Sequence, residues 1–142
     1  MGRWLGLDPG AKRIGVAISD PTGVAVRALP PLDAAAGRDA VLTQLGGLID
    51  GHAVAGVVVG LPRNMDGGEG PAAAAARKLA EELQAGRPQV KVVLYDERLT
   101  TVLAERAMLA ADLSRRKRRR AIDGQAAVVL LTGYLSRADR HG

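Results

Sequence analysis

The chain opens on two short stretches, residues 3–8 and 14–19, in which successive positions alternate, joined by "DPGAKR". Alternation of period two predicts paired strands, and the Pro-Gly between them predicts a hairpin connection. A third short strand is expected over 24–28, ending before Pro30 and Pro31. Val41, Leu42, Leu45, Leu48 and Ile49 then recur at helical spacing and stop near Gly51. The run "AGVVVG", residues 55–60, is apolar throughout, as in a strand covered on both faces.

After "LPRNMDGGEG", Pro71 suits the first position of an Ala-rich helix that carries Leu79 and Leu83 and closes at Gly86. "VKVVLY" predicts a strand that ends directly at Asp96, Glu97 and Arg98. Thr100 or Thr101 can cap a helix running to about Asp112, and a last helix is expected over 121–137. This order predicts an α/β fold in a single domain, 1–142, whose mixed sheet joins an antiparallel meander to parallel strands by crossovers. Parallel α/β sheets gather ligands at the carboxyl ends of their strands, so the polar residues there carry most weight.

Composition narrows the chemistry. There is no cysteine, which excludes disulfides, thiolate zinc sites and Cys nucleophiles. With only His52 and His141, imidazole metal sites and Ser-His catalysis are poorly supported. The net charge of +5 is concentrated in six consecutive basic residues, Arg115, Arg116, Lys117, Arg118, Arg119 and Arg120. Such a run favours a polyanion partner, the plainer reading being a solvated basic loop. No stretch reaches the roughly 18 apolar residues of a bilayer span, and no leader pattern is present. A cytoplasmic protein without a membrane partner is expected.

Three acidic positions stand out: Asp8 at the end of the first strand, Asp96 and Glu97 at the end of the last, and Asp123 early in the final helix. Singly, each has a structural reading as turn starter, solvated loop or helix-dipole partner. Together, two lie at one sheet edge and the third follows a polyanion-attracting segment. Trp4, Gly6 and Asp8 share one strand face, and Gly6 with Gly15 and Ala17 would leave room there for another backbone to approach. Clustered carboxylates without His or Cys are hard oxygen ligands, suited to Mg²⁺ or Mn²⁺. Two such ions can drive phosphodiester hydrolysis, and beside a basic run this reads as a nuclease.

These motifs resemble the YqgF/RuvX family of Holliday-junction-resolvase-like nucleases, which have a ribonuclease H-like fold. "GLDPGAKRIGVAISD" is similar to that family's first strand pair, "VVGLPRNMDG" to its central loop, "DERLTT" to its second acidic motif and "IDGQAAVVLL" to its last helix. The resemblance implies a five-stranded sheet and catalytic, metal-binding acids at Asp8, Glu97 and Asp123. Asp96 and Glu97 must face opposite ways; the family pattern selects Glu97 and leaves Asp96 to pair with Arg98 or to cap toward Thr100 and Thr101. The resemblance also implies maturation of the 5′ end of the small-subunit ribosomal RNA precursor, or resolution of branched DNA. Wider resolvases often carry a further acid where Ala126 stands; three acids are a thin ligand set for two ions, and one ion is then expected to bind only with substrate present.

Lys12 and Arg13 beside Asp8, Arg98 and the basic run 115–120 are candidates to meet phosphates. Asn64 and Asp66 either orient substrate or build a turn in their Gly-rich loop. With Trp4, Tyr95 and Tyr134 the only aromatics, recognition should rest on backbone and shape rather than base stacking. The expected partner is RNA or branched DNA, bound by a monomer or a homodimer. Two rivals remain: a non-catalytic nucleic-acid-binding protein, and an ATPase of the actin and sugar-kinase type, which would need a second such domain.

Overall fold

The structure is a computed structural model that describes residues 2–10, 12–63, 66–97 and 115–141, with the backbone alone at 115–123 and 138–141. Its strands are β1 (Arg3–Pro9), β2 (Arg13–Ser19), β3 (Val26–Asp33), β4 (Val54–Leu61) and β5 (Lys91–Asp96). Its helices are α1 (Arg38–Gly51), α2 (Pro71–Gly86) and α3 (Arg115–His141), with a short 3-10 turn at Ala34–Ala36. The sheet order is β3-β2-β1-β4-β5. β1–β2 and β2–β3 are antiparallel, whereas β1–β4 and β4–β5 are parallel. This is the expected five-stranded mixed sheet.

Side-chain alternation sends the two faces of the sheet to different partners. Leu5, Leu7, Val16, Ile18, Val57, Val59 and Leu61 pack with Val41, Leu45 and Ile49 of α1 and with Ala76, Leu79 and Leu83 of α2. Trp4, Ala17, Val58 and Tyr95 pack instead with Ala126, Ala127, Leu130, Leu131 and Leu135 of α3. The unbroken apolar run of β4 is explained by this double covering.

Close approach of α3 depends on a bare position. A Cβ on Gly6 would stand 2.8 Å from Leu131 Cβ and 3.1 Å from the Ala127 carbonyl oxygen. The helix therefore occupies the room that Gly6 leaves. Trp4 stacks at 5.3 Å on Tyr134, one turn further along the helix. With Tyr134 at Trp4 and Ala127 at Gly6, α3 runs opposite to β1, and its earlier turns lead toward the level of Asp8.

Three expectations need correction or completion. β3 continues through Pro30 and Pro31 to Asp33 rather than stopping at 28. It is an edge strand, where a missing N–H costs no ladder bond on the open side. The register shift between the Ile14–Leu32 and Val16–Leu29 pairs gives β3 one extra residue at the two prolines. The last helix is already formed at Arg115, six residues before the expected start. Arg and Lys are good helix formers, and nothing in 115–121 breaks the turn. Asp123 thus lies in the third turn rather than the first, which removes its reading as a dipole partner. The helix expected from Thr100 or Thr101 to Asp112 lies outside the described residues.

Candidate active site

β1, β4 and β5 are parallel, so Pro9, Leu61 and Asp96 end at one edge of the sheet, where β2 also begins at Arg13. Asp8 and Glu97 are both carried to this edge and are both buried, at 5% and 4% exposure. They are two of only three polar residues in the buried set among the described residues, the third being Ser19. Ser19 has a plain structural use: its hydroxyl accepts from the Trp4 amide at 2.9 Å.

Asp8 follows Trp4 and Gly6 on the α3 face of β1 and is paired in register with Gly15 of β2. On its other side, one step beyond the Leu7–Val59 pair, lies Gly60 of β4. Glu97 arrives from β5. Tyr95 pairs with Gly60 and Asp96 with Leu61, so Tyr95 shares the α3 face and Asp96 the opposite one. The next residue, Glu97, returns to the α3 face. Its Oε1 lies 2.8 Å from where a Cβ on Gly60 would stand. Adjacent strands are about 4.8 Å apart, so the Glu97 carboxylate over β4 lies roughly one strand spacing from Asp8 on β1.

Asp96 and Glu97 accordingly diverge. Asp96 forms an ion pair with Arg63 at 3.6 Å, and Arg63 also pairs with Glu69 at 3.4 Å. Glu69 in turn receives two hydrogen bonds of 2.6 Å from Arg77 of α2. Arg98, Thr100 and Thr101, the expected partners of Asp96, lie outside the described residues.

The third acid, Asp123, is one helical turn before Ala127, the residue that packs over Gly6. The backbone therefore brings its position toward the Asp8 edge, and its side chain is outside the described set. Arg115, Arg116, Lys117, Arg118, Arg119 and Arg120 are the opening turns of the same helix. Lys12 and Arg13 are exposed at the hairpin beside Asp8. Asp66 accepts from the Gly68 amide at 2.8 Å, and Gly67 has φ +91°, so this carboxylate builds the turn. Asn64 lies outside the described residues.

Two buried carboxylates side by side repel one another unless cationic charge lies close by. The donor set fits a hard divalent cation, since both are oxygen ligands and Gly60 opens the space into which Glu97 reaches. Among the described residues no group of three or more His, Cys, Asp or Glu forms a metal cluster. Asp8 and Glu97 supply two such residues, and a third could come only from a side chain outside the described set. No helix among the described residues is long and apolar enough to cross a membrane.

Sequence reasoning passed over two residues here. Gly60 ends an otherwise continuous valine run, a signal of close approach. Arg63 follows a buried strand almost at once, where a charge needs a partner.

The chain is 49% identical over 142 residues to a protein of Moorella thermoacetica named "Putative pre-16S rRNA nuclease", covering 99% of each. A protein of Halalkalibacterium halodurans bearing the same name is 43% identical, covering 95% of this chain and 96% of its own. Among solved structures, T. thermophilus RuvC in complex with a Holliday junction substrate superposes with a TM-score of 0.62 at 12% identity, covering 98% of this chain and 97% of that one. The yeast mitochondrial Holliday junction resolvase Ydc2 gives 0.55 at 12% identity, covering 94% and 78%. At such identities the likeness establishes the fold, which is ribonuclease H-like. A sequence model described as "RuvX: Holliday junction resolvase" matches residues 2–137, and the chain belongs to the RuvX family.

Proposed function

We propose that this chain is a divalent-metal-dependent nuclease that cuts structured nucleic acid, and that its substrate is the precursor of the small-subunit ribosomal RNA, trimmed at its 5′ end. The observation that carries the reading is the burial of two carboxylates, Asp8 and Glu97, on the α3 face at the same sheet edge, toward which α3 carries Asp123 and its basic opening turns. The names of relatives at 49% and 43% identity favour the ribosomal precursor.

In this reading Asp8, Glu97 and Asp123 hold Mg²⁺ or Mn²⁺. When bound, such ions activate water and stabilise the leaving oxygen in phosphodiester hydrolysis. The chain's own contribution is placement. Gly60 leaves the room in which the Glu97 carboxylate lies, and Gly15, paired in register with Asp8, adds no side chain beside it. Lys12 and Arg13, exposed at the hairpin beside Asp8, are assigned to the phosphate backbone there, and residues 115–120, Arg98 and Asn64 to further phosphates. Water adds across one P–O bond, leaving a phosphate on one product and a hydroxyl on the other. A cytoplasmic site of action follows from the substrate.

Branched DNA is the second reading, favoured by the description of the matching family. Resolution of a four-way junction would call for a two-fold dimer with paired sites, whereas trimming an RNA end needs only a monomer. Side-by-side cleavage of 5′-labelled leader RNA and a four-way DNA junction, with Mg²⁺ or Mn²⁺, decides between them. Preferential cutting of the RNA at the mature 5′ end is expected. Preferential, symmetrical cutting of the junction would transfer the assignment to DNA.

A further inference from the structure

Glu97 is the first residue after β5, so alternation gives its direction but no ladder pairing holds it there. An ion pair lies on the opposite face. Asp96 points to the α1–α2 side, as its pairing with Leu61 requires, and there meets the Arg63 guanidinium at 3.6 Å. Arg63 is itself tied to Glu69 at 3.4 Å, and Glu69 to Arg77 of α2 by two hydrogen bonds of 2.6 Å. Two guanidinium groups and two carboxylates thus form a neutral chain from the end of β5, through Arg63 and Glu69, to a helix already packed in the core. Having two carboxylates as neighbours, Arg63 has little charge left over for a phosphate.

We propose that Arg63 is a positioning residue for Glu97, acting through Asp96. The Arg63–Asp96 pair fixes Asp96 on one face, and the peptide that follows must then deliver Glu97 to the other, over Gly60. The proposal rests on the reading of Glu97 as a metal ligand. It goes beyond that reading by assigning metal affinity to a residue on the far side of the sheet from the metal.

The test is Mn²⁺ binding to the intact protein by titration calorimetry, without substrate, for wild type, Arg63→Gln, Asp96→Asn and the double variant. Residues that orient ligands typically affect metal affinity by about 10–100-fold. Each single variant should therefore weaken Mn²⁺ about tenfold or more, and the double should add little to either. In cleavage, the half-saturating Mn²⁺ concentration should rise by the same factor, with the rate at saturating Mn²⁺ within about twofold of wild type. Asp50→Asn, which breaks the separate Arg87–Asp50 pair of 3.1 Å, should leave Mn²⁺ binding unchanged. Should Arg63→Gln fail to fold, Asp96→Asn carries the comparison with the Arg63–Glu69 contact intact.

Wild-type Mn²⁺ affinity in a folded Arg63→Gln or Asp96→Asn would overturn the proposal while sparing the metal site. Fully additive losses would overturn it as well. No Mn²⁺ on wild type would overturn both the proposal and the reading on which it rests.

Discussion

Gly60 lies under Glu97: the carboxylate oxygen of one occupies the space that a side chain on the other would fill, at 2.8 Å from the position of a Cβ. The relationship joins two strands through a contact that neither local sequence announces. It also sets a narrow tolerance. Gly60→Ala would meet the Leu7 carbonyl oxygen at 3.3 Å and Leu130 Cδ2 at 3.1 Å, contacts the neighbours can absorb, but it would displace Glu97. The expected outcome is a folded protein with a modestly lowered Tm and Mn²⁺-dependent cleavage reduced by about tenfold or more. Thermal denaturation with cleavage of leader RNA on the same preparation checks it.

Gly6→Ala should behave differently. Its Cβ would clash with Leu131 Cβ and approach the Ala127 carbonyl, atoms fixed to the α3 backbone, so relief requires the helix to lift. A loss of about 1–3 kcal/mol is expected, of the size seen on overpacking a close-packed core. Urea denaturation measures it, and the midpoint should fall with the slope unchanged.

The Glu69 carboxylate between Arg63 and Arg77 should report acid. Glu69 is held below the ordinary 4.5 of its carboxyl chiefly by the hydrogen bond from Arg77, with the Arg77 and Arg63 charges adding. A folded value below the unfolded one means that the unfolded chain binds more protons. The contribution is therefore complete above about 4.5 and is lost as pH falls through the depressed value. Tm followed from about pH 6 to about pH 3 should show a small gap between wild type and Glu69→Gln, greatest at the upper end and closing toward the lower.

Binding should be steeply salt-dependent. Each basic residue that neutralises a phosphate adds roughly 0.7–0.9 to the slope of log affinity against log salt. Arg118→Gln with Arg119→Gln keeps good helix formers in α3, so the helix should persist. The slope should fall by up to about 1.5, with affinity reduced alike for different sequences. Fluorescence anisotropy across a salt series, with circular dichroism to confirm helix content, is the measurement.

Much of this architecture is legible in the sequence. Period-two alternation in residues 3–8, an unbroken valine run at 57–59 and Pro71 at a helix start each carry a local cause, and each lies where expected. Gly6 was legible too, as a place where a backbone could come close. Reading failed where the deciding fact is tertiary. Pro30 and Pro31 look like a strand end unless the strand is known to be an edge. The start of α3 was misplaced because a basic run reads as solvated chain, although Arg and Lys sustain a helix well.

The site shows the same division. Strand alternation alone says that Asp96 and Glu97 diverge, but the choice between them needs to know which face α3 covers. Arg63 and Asp96 are 33 positions apart, and their pairing follows from the parallel β4–β5 register rather than from any motif. Gly60 has no side chain to draw notice. Its importance is visible only once Glu97 is seen lying over it.

Asp8 is the residue on which metal-dependent cleavage should depend most directly. The decisive experiment is cleavage of 5′-labelled leader RNA with Mn²⁺ or EDTA by wild type and by Asp8→Asn, with the affinity of both for the same RNA measured alongside. Wild type should cut only with metal. Asp8→Asn should bind equally or more tightly, because a carboxylate that opposes phosphate is gone, yet cut at least about a hundredfold more slowly. Cutting by Asp8→Asn at the wild-type rate, or cutting by wild type in EDTA, would contradict the assignment of a metal-dependent nuclease centred on this strand end.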